Sequence, residues 1–322
     1  MEKNFVSLCY HYVRPEVNPF PRILGTEINE FQNQLKMLKQ NYSVISPEDV
    51  LNFYHGDHAF DNGKHVLLTF DDGLSDHYEA AKILKEHDIR AIFFTPTCFL
   101  DEKLPANPII IHYCIAEFGI AHFLNIYHDI LEDLKLKTKD YEDYVIKYNK
   151  DIDDKWNIIS QIKITFKYKL EYRLTRKILI KIFENLFLPK FPKGLDIVHL
   201  NEDKIRSMIN MGHSIGTHTH THVAVIKLNS NDFEKEIIYP KKFLEKKFGI
   251  EVNSFSYPFG EKKDFLSSSQ LIKKTNEYKL AFTLEEIKNT KKTSTLQLGR
   301  YSLTSTDNTK KLNAIIEKII NN

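Results

Sequence analysis

The chain has 322 residues, enough to bury a substantial core as one large α/β domain or two small ones. Its 42% hydrophobic and 27% charged residues, with 22 Phe and 16 Tyr, exclude a disordered chain. A formal charge of +2, from 45 basic and 43 acidic residues, leaves no global field drawing it to nucleic acid or a membrane, so such a partner would have to meet a local patch.

The opening MEKNFVSLCYHYV lacks the basic, long apolar and small-residue parts of a signal peptide. No later run nears the roughly 18 apolar residues of a spanning helix, so a cytoplasmic protein without a transmembrane segment is expected. Within that opening, FVSLCYHYV reads as a mostly apolar strand, followed by a Pro-containing loop and INEFQNQLKMLKQ, whose apolar residues recur at helical spacing. YSVISPEDVLNFYHG gives a short strand, a Ser-Pro-Glu-Asp helix start and a Gly stop. HVLLTFDDG, YEAAKILKEHD and RAIFFTPT read as an apolar strand ending in acids and Gly, an amphipathic helix and a second apolar strand, the sign of parallel strands buried on both faces. Cys9, Cys98 and Cys114, without CxxC spacing and among apolar neighbours, are expected as buried thiols.

From about 105 to 195 the chain turns to charged, Tyr-rich helical segments and reads as a helical insertion. In QIKITFKYKLEYRLTRKILIKIF the residues Ile162, Phe166, Leu170, Leu174 and Ile178 recur every four positions, as on one long helix. Lys163, Lys167, Lys169, Arg173, Arg176, Lys177 and Lys181 stand there against the single acid Glu171. Such a basic face is either simply solvated or a lid that meets a diphosphate or an acidic membrane surface, in which case peripheral contact at the inner membrane is expected. Strand and helix alternation then resumes, with EDKIRSMINMG and NDFEKEIIYPKKFLEKKFG as helices, HSIGTHTH as a strand and VNSFSYPFG as a strand and loop. No fixed-period repeat occurs.

Asp71 and Asp72 follow the VLLTF strand and precede Gly73, where parallel α/β sheets place catalytic groups; taken alone, Asp-Gly is also a common solvated turn. In GTHTHTH, His218 and His222 are four apart and can converge on one cation from a helical turn or an extended segment, with His220 as neighbour. Two imidazoles and one carboxylate hold a divalent ion while leaving positions open, the catalytic arrangement. These ligands suit zinc, iron, cobalt or nickel, and ligand type alone does not choose among them; zinc is the first expectation.

TFDDG at 69–73, GTHTHTH at 216–222 and FSYPFG at 255–260 closely resemble the motifs of the polysaccharide deacetylase family, the NodB-homology carbohydrate esterases. The resemblance covers about 1–104 and 196–304 and implies a distorted, incomplete (β/α)7-type barrel, its first part in 1–104 and its second in 196–322, with 105–195 inserted. It implies that Asp71 is the general base, that Asp72, His218 and His222 hold the metal, and that the Phe259 N–H meets the oxyanion, with Tyr257 and Pro258 beside the substrate. The C-terminal histidine motif usual in the family is missing after LGRYSL. LCYHYV resembles circularly permuted members of the poly-N-acetylglucosamine deacetylase type, in which the acid comes from the first strand, implying His11. Ser256 stands where many members carry an arginine paired with the catalytic aspartate; Arg300, a charge inside the β-like LQLGRYSLTS, is the candidate replacement at the barrel top.

The expected activity is removal of an acetyl or other acyl group from an N-acetylated sugar, nucleotide-, lipid- or polymer-linked, in surface glycan synthesis. The competing readings are hydrolysis of another C–N amide bond, such as an N-formyl sugar, and a degenerate carbohydrate-binding protein. His112 and His199, near the ends of the insertion, could point into the cleft, but isolated histidines are more often structural and they are left out of the expected site. Neither phosphate-loop nor dinucleotide motifs occur, and no nucleic-acid motif is present.

Overall fold

The structure, a computed structural model, describes residues 3–15, 18–56, 60–134, 146, 155–266 and 269–322. Nine strands make one curled sheet: β1 (Asn4–Tyr10), β2 (Ser43–Ile45), β3 (His65–Phe70), β4 (Ile92–Thr95), β5 (Ser214–Thr217), β6 (Ser254–Ser256), β7 (Leu280–Phe282), β8 (Asn289–Thr290) and β9 (Tyr301–Ser302). Their order is β8-β1-β3-β4-β5-β6-β7, with β2 also paired to β3 and β9 to β1. Neighbours run parallel except for β1 and β8. Parallel neighbours need long crossovers. Helices α1 (Ile28–Asn41), α2 (Pro47–His55) and α3 (His77–Glu86) make the first of these. Among the described residues, the helices of ten or more residues between β4 and β5 are α4 (Asn107–Phe118), α5 (Ile120–Asp133), α6 (Lys155–Ile164) and α7 (Tyr172–Ile182). Then come α8 (Glu202–Asn210), α9 (Tyr239–Phe248) and the terminal α10 (Thr309–Asn321).

The period of two along β3 sorts its side chains between two cores. Val66, Leu68 and Phe70 pack outward against Phe31 and Leu35 of α1 and Leu84 of α3. Leu67 points the other way, to Phe5, Ile92, Phe94 and Phe282 inside the curl. Burial on both faces is why these strands read as continuous apolar runs. The open side is partly sealed by one segment: Leu298 bridges Phe282 in parallel, and Tyr301 pairs with Leu8 of β1. The fold is therefore α/β, a distorted and incomplete barrel.

Helices α4 to α7 pack around a second core that includes Ile110, Phe123, Tyr127, Ile162, Ile178 and Phe187, joined from the barrel side by Tyr12, Phe20 and Leu74. Residues 135–145 and 147–154 of the expected insertion lie outside the described residues. The single helix predicted through Ile162 and Ile178 is two. After α6 a π-helical turn spans Thr165–Lys169, Leu170 is extended at ψ 143°, and Glu171 caps α7 by accepting from the Leu174 N–H at 3.0 Å. The ladder residues still share one core across this break, with Ile162, Phe166, Leu170 and Ile178 buried in it and Leu174 packed against it. The expected basic face is dispersed: Lys167 pairs with Asp264 at 2.9 Å, Arg173 with Asp232 at 2.7 Å and Arg176 with Glu102 at 3.2 Å.

The predicted HSIGTHTH strand also stops early, at Thr217, which puts the histidines in the loop beyond it. All three cysteines are free and buried. Among the described residues, no helix is long and apolar enough to cross a membrane.

Candidate active site

Parallel register brings the C-terminal ends of β1, β3, β5 and β6 together, and the predicted residues other than Arg300, which directly precedes β9, sit one to five positions past those ends. The ladder continues a step further, since the Asp71 N–H donates to the Tyr10 carbonyl at 3.0 Å and the His218 N–H to the Thr95 carbonyl at 3.2 Å. Past this step the loops are bent. Asp72, Thr219, His222 and Phe259 all have positive φ, at 83°, 58°, 65° and 66°. For a β-branched residue such as Thr219 this is a costly conformation, on the order of 1–3 kcal/mol, which persists only where surroundings enforce it.

Glu236 is the enforcer for the histidine loop. Fully buried, it accepts from the backbone N–H groups of His220 and Thr221, both at 2.9 Å, from the Thr221 hydroxyl at 3.0 Å and from the Tyr172 hydroxyl of α7 at 2.7 Å. His199 does the same for the acidic turn. Its Nδ1–H donates to the Gly73 carbonyl at 3.0 Å while Nε2 accepts from the Ala106 N–H at 3.1 Å. Gly73 is required there twice over: φ is 60°, and a Cβ would lie 2.9 Å from the ring of Phe99. Neither Glu236 nor the bridging role of His199 was legible in the sequence. The only signal was an acid directly before the apolar pair Ile237 and Ile238.

Asp72, His218 and His222 come together with ligand atoms within 4.8 Å of one another. Asp72 Oδ1 lies 3.4 Å from His218 Nε2 and 3.0 Å from His222 Nε2, yet it is buried without a hydrogen-bond partner. Ligands about 2.1 Å from a shared tetrahedral cation stand about 3.4 Å apart, so three lone pairs converge here as a metal requires. The proton of His218 is directed away from the site, because its Nδ1 donates to the Ser256 carbonyl at 2.8 Å. Burial opposes ionisation of Asp72, but His222 and His218 outweigh it and hold its carboxyl well below the usual range. Burial also disfavours charging both imidazoles; it prevails at His222, while Asp71 and Asp72 push His218 upward. His220 turns elsewhere, with Nδ1 2.8 Å from the Thr97 hydroxyl and Nε2 3.1 Å from Glu102.

Asp71 is gripped at both oxygens. Arg300 donates from Nη1 to Oδ1 and from Nη2 to Oδ2, each at 2.8 Å, and Ser256 Oγ donates to Oδ2 at 2.9 Å. The guanidinium is fully buried against the rings of Phe94 and Phe282 and donates through Nε to the Thr283 carbonyl at 3.0 Å. Burial alone would raise the Asp71 pKa, but Arg300, with His218 and His11, holds it below the usual carboxylate range. Arg300 thus stands beneath the site, where it meets the aspartate and not a ligand in the cavity. Tyr257 and Pro258 are likewise buried outside the cavity lining; the Tyr257 hydroxyl donates to the Leu296 carbonyl at 3.0 Å.

His11 lines the cavity, with a ring nitrogen within 4.8 Å of Asp71 and Cys9. Its carbonyl accepts from His77 Nε2 at 2.9 Å. Phe259 packs its ring edge-on to His222 at 4.9 Å, and among the described residues its N–H has no partner. Above these groups opens a cavity of about 430 Å³, half of whose lining residues come from α4, α6, the π turn and α7. His112, left out of the expected site, also lines it, with Nδ1 3.1 Å from the Tyr12 hydroxyl.

The sequence model of the polysaccharide deacetylase family matches the chain at residues 59–109 and 190–281. No curated protein sequence matches it. The fold is similar to that of the Streptococcus pyogenes deacetylase PplD in complex with acetate, at 17% identity and a TM-score of 0.61, covering 98% of this chain and 99% of that one. It is similar also to IcaB from Ammonifex degensii, at 18% identity and a TM-score of 0.56, covering 98% and 97%. A de-N-acetylase from Aggregatibacter actinomycetemcomitans aligns at 16% identity and a TM-score of 0.55, covering 97% of this chain and all 100% of the other. At such identities the likeness to solved structures is one of fold.

Proposed function

Because this chain belongs to the polysaccharide deacetylase family, whose domain it carries in two segments, we propose that it is a metal-dependent N-deacetylase acting on an N-acetylated sugar of a surface polysaccharide or glycolipid. The family deacetylates N-acetylated sugar polymers by hydrolysing a C–N bond. The observation that carries the reading is Asp72 Oδ1, buried, unpartnered and flanked by two imidazole nitrogens beside a second aspartate held ionised by Arg300.

Asp72, His218 and His222 would hold the cation, and zinc is the metal this ligand set fits first, ahead of iron, cobalt or nickel. Such a cation polarises the acyl carbonyl and lowers the pKa of a water. Asp71, fixed in orientation by the two-pronged grip of Arg300, takes the proton of the attacking water. The Phe259 N–H stabilises the oxygen that becomes negative as the carbonyl carbon turns tetrahedral. His11 delivers a proton to the sugar nitrogen as the C–N bond breaks, so acetate and the amine leave balanced. The same reading extends to a nucleotide-, lipid- or polymer-linked sugar handled in the cytoplasm. In its support, Lys163, Lys167, Lys227 and Lys263 stand around the cavity, where a substrate phosphate would meet positive charge.

The test is metal content together with acetate release from free, nucleotide-linked and lipid-linked N-acetyl sugars, for the wild type and Asp71→Asn. One metal per chain in both proteins, with release reduced at least ~100-fold in the variant, is expected. Bound metal without release from any N-acetyl sugar would point to another amide, and no bound metal would remove the catalytic reading.

A further inference from the structure

Helix α6 presents Ser160, Lys163 and Ile164 to the cavity. At about 100° per residue, positions 156, 160 and 163 fall within an arc of about 60°, and position 156 lies about 6 Å further along the axis than 160. Trp156 therefore stands on the cavity face of α6, one turn beyond its lining. It is the chain's single tryptophan, and it is 73% exposed. An isolated exposed apolar side chain is ordinary. What gives this one a direction is its register with the residues that line the active-site cavity.

From this register we infer that the α6 face extends the cavity into a second sugar subsite, in which Trp156 stacks against the ring next to the one that loses its acyl group. The inference rests on the cavity being the deacetylase site. A pyranose offers an apolar C–H face and a polar rim, and the indole matches it with a flat apolar surface and one N–H donor. Lys163 supplies the rim contact. Among the described residues it has no carboxylate partner, unlike Lys167 and Lys263, which pair with Asp264 and Glu261. Its ammonium can therefore donate to hydroxyls or to an acidic substituent on that second ring. A glycan seated at Asp71 and leaving along α6 passes Ser160 and Lys163 before reaching the indole.

With one tryptophan in the chain, selectively excited tryptophan emission reports on this position alone. Asp71→Asn protein is titrated with N-acetylglucosamine and with its linear tetrasaccharides, while acetate release by the wild type is followed on the same sugars. A saturable emission change with a tetrasaccharide, at a concentration at least roughly fivefold below any change with the monosaccharide, is expected for one stacked ring. In Trp156→Ala, KM for the tetrasaccharide should rise roughly fivefold more than KM for the monosaccharide, and kcat should move less than KM. No emission change with any oligosaccharide overturns the subsite whether or not acetate is released. Failure of the wild type to release acetate from every sugar instead overturns the deacetylase reading, and the emission titration still decides the subsite by itself.

Discussion

Arg300 and Asp71 show how one residue sets the working range of another. Burial pushes the Asp71 carboxyl toward its neutral form and the guanidinium reverses that. With Asp71 as the proposed base, a carboxyl held below its usual pKa stays ionised as pH falls, so the acidic limb of kcat/KM is expected to lie low in the wild type. Arg300→Met is expected to move that limb to higher pH, with about a tenfold loss on the acid side for each pH unit moved. Stability should fall as well, by about 3–5 kcal/mol, because a buried carboxylate loses its partner. Arg300→Lys keeps the charge but loses the two-pronged grip, so its limb should shift less. The pH profiles of both variants decide this, and an unmoved limb in Arg300→Met would exclude Arg300 as the group that tunes Asp71.

Among the elements, the loop after β5 matters most, because it must hold two positive-φ residues and two metal-ligand candidates at once. Nothing local makes it do so. Glu236, from a π-helical turn before α9, gathers two backbone N–H groups and two hydroxyls, and Tyr172 ties the same carboxylate to α7. Glu236→Ala leaves buried donors without acceptors, at roughly 1–3 kcal/mol for each one that water does not reach. A lowered urea midpoint, equivalent to about 3 kcal/mol, and weaker zinc uptake are expected together. Glu236→Gln, which retains an acceptor, should lose less of both. Unchanged zinc affinity in the destabilised alanine variant would show that the loop keeps its shape without Glu236.

At the scale of the whole molecule, buried neutral histidines fasten the barrel to its crossovers. His77 reaches from α3 to the carbonyl of His11, and His199 spans the acidic turn and the start of the α4 region. Burial lowers the pKa of each to about 4. The unfolded chain takes up protons near pH 6.5, where the folded protein refuses them, so stability is lost as pH falls from about 6.5 toward 4. The linkage limit is about 3 kcal/mol per histidine, and the rise in the His218 pKa caused by its carboxylate neighbours acts in the opposite sense. A melting midpoint that drops between pH 7 and pH 5 is expected, and one that stays level or climbs would mean that these imidazoles are charged in the fold.

The order of the candidate site groups was legible along the chain: acids after one apolar strand, histidines after another, and an aromatic-proline loop after a third. The sequence by itself determined most of the alternating elements, because period and capping residues such as Ser46 and Asp49 act within a few positions. Arg300 stood out in the sequence as a charge inside a β-like run, but its placement 229 residues from Asp71 needed the segment that joins β7 to β1. Tertiary structure alone decided that α6 and α7 are separate helices, that Tyr257 and Pro258 face away from the cavity, and that Glu236 braces the histidine loop. Periodicity records which side of an element is buried. Which groups meet there depends on how the sheet curls and closes, and no stretch of neighbouring residues carries that information.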